Sequence, residues 1–175
     1  GIGGWDQADL ANALLHGVSP EGSHYFPAFP YTSYAKMADG DIVDLWAYLQ
    51  TLPPSSEPSK AHEVGFPFNI RRSLGGWKFL FFKDDWVMAG NDLGAELTRG
   101  RYLVEALGHC AECHTPRNAL GGLDLDQWMA GAPDPSGKGS IPPLTPDKLT
   151  WSATDIAYYL ETGFTPEFDS AGGHM

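Results

Sequence analysis

"GHCAECHTP", Gly108 to Pro116, holds both cysteines of the chain, two of its six histidines and a closing proline. Three chemistries use such a stretch: a redox dithiol, half of a zinc site, and covalent attachment of a haem. Structural zinc needs four ligands, commonly two Cys-x-x-Cys pairs or a cysteine pair with a histidine pair. No second cluster stands at a suitable spacing in this sequence. A thioredoxin-like dithiol sits beside a β-α-β pattern, and the flanks here show no strand alternation. Haem attachment fits better. Cysteines three apart on a helical turn face one side, so the Cys110 and Cys113 thiols can add to the two vinyl groups of one porphyrin. His114 is then carried under the iron as proximal ligand.

A six-coordinate iron takes a second ligand on its other face. In electron-transfer cytochromes this is commonly methionine, whose thioether raises the reduction potential. The chain has four: Met37, Met88, Met129 and Met175. Met88 lies upstream of the motif, and Met129, in "LDQWMAGAP", reads as a core filler. Met175 follows His114 by 61 residues, in the glycine-bearing "SAGGHM" that can approach a haem edge closely. It is the preferred distal ligand, with His174 its rival.

An internal repeat sets the organisation. "WDQADLANALLHGVSPE" (5–21) aligns with "WSATDIAYYLETGFTPE" (151–167) at an offset of 146, with seven of seventeen positions identical. Each copy predicts a short helix with apolar positions at helical spacing, ending at Gly17 or Gly163. "ADGDIVDLWAYLQTLPP" after the first copy predicts a helix N-capped by Asp39, with Ile42, Leu45, Trp46 and Leu49 on one face. "LPPSSEPSK" is a linker by composition, and "NIRRSLGGWKFLFF" predicts a short helix with Ile70, Leu74, Trp77 and Phe81 on a stripe. From Gly94 a helix is expected to run straight into the cysteine motif. The counterpart of that motif in the first copy would fall before Gly1, and no Asp39-type helix follows the second copy. The expected domains are therefore 1–52, the C-terminal part of a first domain; 53–93, linker and connecting segment; and 94–175, a second domain lacking its C-terminal helix.

Composition narrows the partners. A net charge of −11 disfavours nucleic acid. The aromatic cluster Trp77 to Phe82 is too short to span a bilayer, and no basic-apolar leader opens the sequence. Gly (21) and Pro (14) predict many turns and long loops. His16, His24, His62 and His109 form no evident acid/base constellation.

The stretches "GIGGW", "HGVSPEGSHYFPAFPYTSYAKM", "FPFNIR", "CAECHTPRN" and "LTWSATDIAYYLETGFTPEFDSAGGHM" resemble the multi-haem cytochrome c subunits of membrane-bound periplasmic dehydrogenases, those serving alcohol, gluconate and related oxidations. The resemblance implies a mainly α fold of tandem class I cytochrome c-like domains, both incomplete in this chain. It implies haem c bound covalently by Cys110 and Cys113, with His114 and Met175 axial, and a second haem in the full-length protein. The first domain departs from the pattern, because the repeat sets Phe29 opposite Met175. Phenylalanine cannot ligate iron, so Met37 or His24 takes the role or that haem is five-coordinate; Met37 reads equally well as an apolar staple for the next helix. The implied function is to carry electrons from a periplasmic dehydrogenase to the respiratory chain. The implied partners are a dehydrogenase catalytic subunit and the quinone or terminal-oxidase side. The implied location is the periplasm or the periplasmic face of the inner membrane, with membrane association through regions outside this sequence. The competing class is a haem enzyme, such as a di-haem thiosulfate dehydrogenase or peroxidase, which needs an open axial position; a haem-free dithiol module is a third.

Overall fold

The computed structural model describes residues 2–57, 60, 63–88, 90 and 93–170. Among them helix dominates and strand is confined to one short pair. The chain divides into two compact units, 1–112 with 117–125, and 113–116 with 126–170 of the described residues. This division is drawn differently from the sequence boundaries: the connecting segment and the approach to the cysteine motif both lie in the first unit.

In the first unit, α1 (Gln7–His16) starts at a capping box. Asp6 accepts from the Asp9 N–H while Asp9 accepts from the Asp6 N–H, which pairs two amides that the helix leaves orphaned. It ends at Gly17, left-handed at φ 57°, where an added Cβ would sit 2.4 Å from the Tyr31 ring. Leu10, Ala13 and Leu14 are buried, and Leu10 and Leu14 pack with Ile42 of α3 (Asp39–Leu49). Burying each of these three larger side chains contributes about 1.5–3 kcal/mol. Leu45, Trp46 and Leu49 also pack against this core, as the helical spacing predicts. Asp39 is not the N-cap: that place falls to Ala38, whose N–H donates to the Tyr102 hydroxyl at 3.0 Å. A distant phenol thus pairs the amide that opens the helix, and no side-chain cap bond forms there. Between α1 and α3 lies α2 (Tyr31–Tyr34), which packs on the segment leading to the cysteines.

The connecting segment folds as α4 (Ser73–Phe81). Leu74 and Trp77 are buried, while Ile70 precedes the helix and is exposed. Lys78 fixes the helix to the first unit: its ammonium donates to the carbonyls of His16 (2.5 Å) and Gly17 (2.7 Å) and lies 3.1 Å from His24 Nδ1. The Trp77 indole N–H donates to the Leu120 carbonyl at 2.9 Å.

In the second unit, β1 (Ala132–Pro133) pairs antiparallel with β2 (Ser140–Ile141), Ala132 opposite Ile141. Gly131 (φ 86°) enters this pair, and an added Cβ there would lie 2.7 Å from the Ile141 carbonyl oxygen. The repeat is realised in full by α7 (Ala153–Thr162). Its capping box joins Ser152 and Asp155, and its C-cap is left-handed Gly163. The bridge Val18–His24 after α1 recurs as Phe164–Ser170 after α7. The turn bonds match too: Ser19 N–H to the Ser23 carbonyl (2.9 Å), and Thr165 N–H to the Asp169 carbonyl (2.7 Å). One difference stands out. Leu14 is 5 % exposed, whereas its counterpart Leu160 is 71 % exposed.

Candidate haem attachment site

The approach to the cysteines is not one continuous helix. After α5 (Ala95–Tyr102) the backbone widens into a π-helical stretch, Leu103–Leu107. Gly108 N–H then donates to the Leu103 carbonyl at 2.6 Å and Cys110 N–H to the Val104 carbonyl at 3.2 Å. His109 is left-handed (φ 41°), a conformation costing an L-residue roughly 1–2 kcal/mol. Only then does α6 (Ala111–His114) begin. Such π-helical turns are frequent at functional sites. Inside this one, Glu105 is 2 % exposed, and its carboxylate accepts from the Val87 N–H (2.7 Å) and the Met88 N–H (2.9 Å). Two charge-assisted bonds therefore hold the connecting segment against the root of the motif.

The second spacer position of the motif is placed by other contacts. Glu112 forms an ion pair with Arg117 (2.5 Å) and accepts from the Thr32 hydroxyl (2.8 Å). Cys113 is exposed and Cys110 half-buried, and no disulfide joins them.

His114 is 7 % exposed and held on two sides. Its carbonyl accepts from the Gly131 N–H (2.8 Å), and its ring Nδ1 lies 2.8 Å from the Pro142 carbonyl oxygen. A carbonyl only accepts, so Nδ1 carries the proton and Nε2 is left with the lone pair a metal requires. Next to it Thr115, 1 % exposed, accepts from the Met129 N–H at 3.0 Å. These residues fit covalent haem: two thiols, and an imidazole whose tautomer is fixed for ligation. Zinc fits poorly, since among the described residues no group of three or more His, Cys, Asp or Glu is gathered to hold a metal.

The first unit contains a cavity of about 890 Å³, walled by Trp5, Leu14, Phe29, Tyr34, Met37 and Leu107 among others. That volume is in the range of cofactor sites, and Asp41 is the one charged residue among the described residues of its lining. Met37 and Phe29 both line it, while His24 faces Lys78 and Gly75 instead. Burial raises the pKa of Tyr34, and burial with the Lys78 charge lowers that of His24. Met129 is buried and Met88 half exposed. Met175 and His174 lie outside the described residues. Sequence reasoning passed over Glu105, Thr115 and Tyr34, and the Pro142 carbonyl; a backbone acceptor leaves no side-chain signature, and the others sit apart from the motif or read as ordinary packing.

No family model matches the chain. A protein described as "Diheme cytochrome c-type" from Cereibacter sphaeroides is 60% identical over 175 residues, all of this chain and 59% of that protein. The fructose dehydrogenase cytochrome subunit of Gluconobacter japonicus is 37% identical, over 98% of this chain and 36% of its own length. The gluconate 2-dehydrogenase cytochrome c subunit of Pantoea cypripedii is 33% identical, over 99% of this chain and 42% of its own. The chain thus spans three fifths or less of these relatives. All three relatives are named as cytochromes. More narrowly, they are a dihaem cytochrome c and cytochrome subunits of sugar-acid, sugar and related dehydrogenases, the family to which the motifs point.

Proposed function

We propose that this chain is an electron-carrying part of a dehydrogenase-linked cytochrome c, acting in the periplasm or at the periplasmic face of the inner membrane. Cys110 and Cys113 hold haem c through thioether bonds, and His114 Nε2 ligates its iron. Bound there, haem supplies reversible one-electron chemistry, while the protein sets potential, solvent access and docking. The observation that carries this reading is the His114–Pro142 bond, which orients the imidazole and leaves Nε2 as the nitrogen presented for ligation. Met175 is the distal ligand. A dehydrogenase catalytic subunit delivers the electrons, as the names of the relatives suggest, and a quinone or terminal oxidase receives them.

The cavity of the first unit takes a second haem, with Met37 as the thioether on its wall that can ligate iron. The relative described as dihaem supports this count. Exposed Leu160, set beside buried Leu14, supports a second domain completed by a further helix equivalent to α3. The test is the complete protein matured with haem. Denaturation should leave haem attached in the wild type, and Cys110→Ala with Cys113→Ala should lose one haem mass. Haem removed from that site by acidified organic solvent would overturn the assignment.

A further inference from the structure

We propose that Tyr34 and His109 form the electron-transfer contact between the occupant of the first-unit cavity and the haem held at Cys110, an inference that rests on the two-haem reading above. The cavity wall leads directly to the motif. Tyr34 lines the cavity, edge-to-face with Phe29 at 5.8 Å. The same ring also meets His109, again edge-to-face, at 5.8 Å and 79°. His109 is bonded through its backbone to Cys110, and Leu107, three residues before Cys110, lies on the same cavity wall.

The backbone of His109 supplies an independent reason. It is left-handed at φ 41°, directly after the π-helical stretch. Glycine adopts that conformation without penalty, so a structural break alone would be better served by glycine. What histidine adds is a ring, and that ring is packed on Tyr34. Strain kept at a site where it aims a side chain is the pattern that points to function. The contact sets packed and bonded atoms between the cavity wall and Cys110. The step is one electron: one iron is oxidised as the other is reduced, and no bond is broken or proton moved.

The test uses the complete protein with its haems counted as pyridine haemochromes. One centre is reduced by a laser-triggered donor, and electron redistribution between the haems is followed optically. Redox titration fixes both midpoint potentials, and thermal melts record stability. His109→Gly is the decisive variant because it removes the ring and relieves the backbone. It should melt no lower than wild type, keep both potentials, and slow redistribution several-fold. Tyr34→Leu should slow it similarly, and His109→Phe should restore most of the rate. Two haems with an unchanged rate in His109→Gly would overturn the contact alone, as would a slowdown fully accounted for by shifted potentials. A single haem in the complete protein would overturn the two-haem reading, and the contact with it.

Discussion

Gly22 and Phe168 stand at the same point of one repeated turn, and both are left-handed, at φ 77° and 63°. Each donates its N–H to the carbonyl of the residue three before it, Ser19 or Thr165. The first copy meets the turn with a residue that adopts it freely, and the second with an 83 % exposed phenylalanine. Phe168→Gly should therefore stabilise the second unit by about 1 kcal/mol, relieved strain outweighing the added freedom of the unfolded chain. Gly22→Ala should do the opposite in the first unit. Urea denaturation midpoints measure both.

Thr115→Val is nearly isosteric and removes only the acceptor of the Met129 N–H, in a place 1 % exposed. An orphaned buried amide costs about 1–3 kcal/mol. The loss should appear as a lower denaturation midpoint, and hydrogen exchange should accelerate at Met129. Exchange at wild-type rate would mean another group takes over the amide.

Glu105→Gln keeps the shape but presents one oxygen where two are used. Either Val87 or Met88 then faces an NH₂ group instead of an acceptor. The expected cost is again about 1–3 kcal/mol. Limited proteolysis should cut near 83–88 faster than in the wild type, without new cuts in α1.

Lys78 and His24 make stability depend on pH in two separate windows. Burial lowers Lys78 from 10.5 to about 8. Between those values the unfolded chain holds a proton that the folded chain has released, so stability rises with pH across the window. His24 is lowered from 6.5, by burial first and by the Lys78 charge second. As pH falls below 6.5 the unfolded chain binds its proton first, and stability declines. Denaturation midpoints against pH should show both slopes. Lys78→Met should flatten the alkaline one and lessen the acidic one; His24→Gln should flatten the acidic one alone.

The repeat was legible to its C-terminal glycines, and the structure adds that both copies also begin at a capping box. Aligning Asp9 with Asp155 and Gly17 with Gly163 pairs the inner residues of two capping boxes and two left-handed C-caps. The path into the cysteines was not legible. "LVEAL" consists of ordinary helix formers, so nothing local announces the π-helical widening, and the break falls on a histidine rather than glycine or proline. The start of α3 misled for the same reason: the partner of its first amide, at Ala38, is Tyr102, 64 residues away. The motif itself names the attachment chemistry, whereas the partner that orients His114 is a carbonyl 28 residues away.

The interruption between α5 and α6 has a bearing on how this sequence can vary. In an unbroken helix each inserted or deleted residue turns everything beyond it by about 100° around the axis. A Cys-x-x-Cys-His turn mounted on such a helix would swing with every change of length upstream. Here the widened backbone at 103–107 and the reversal at His109 disconnect the azimuth of α6 from that of α5. Glu105 and Glu112 re-anchor the turn from outside the helix. The length of α5 is thereby released to drift while the direction in which the thiols emerge stays fixed.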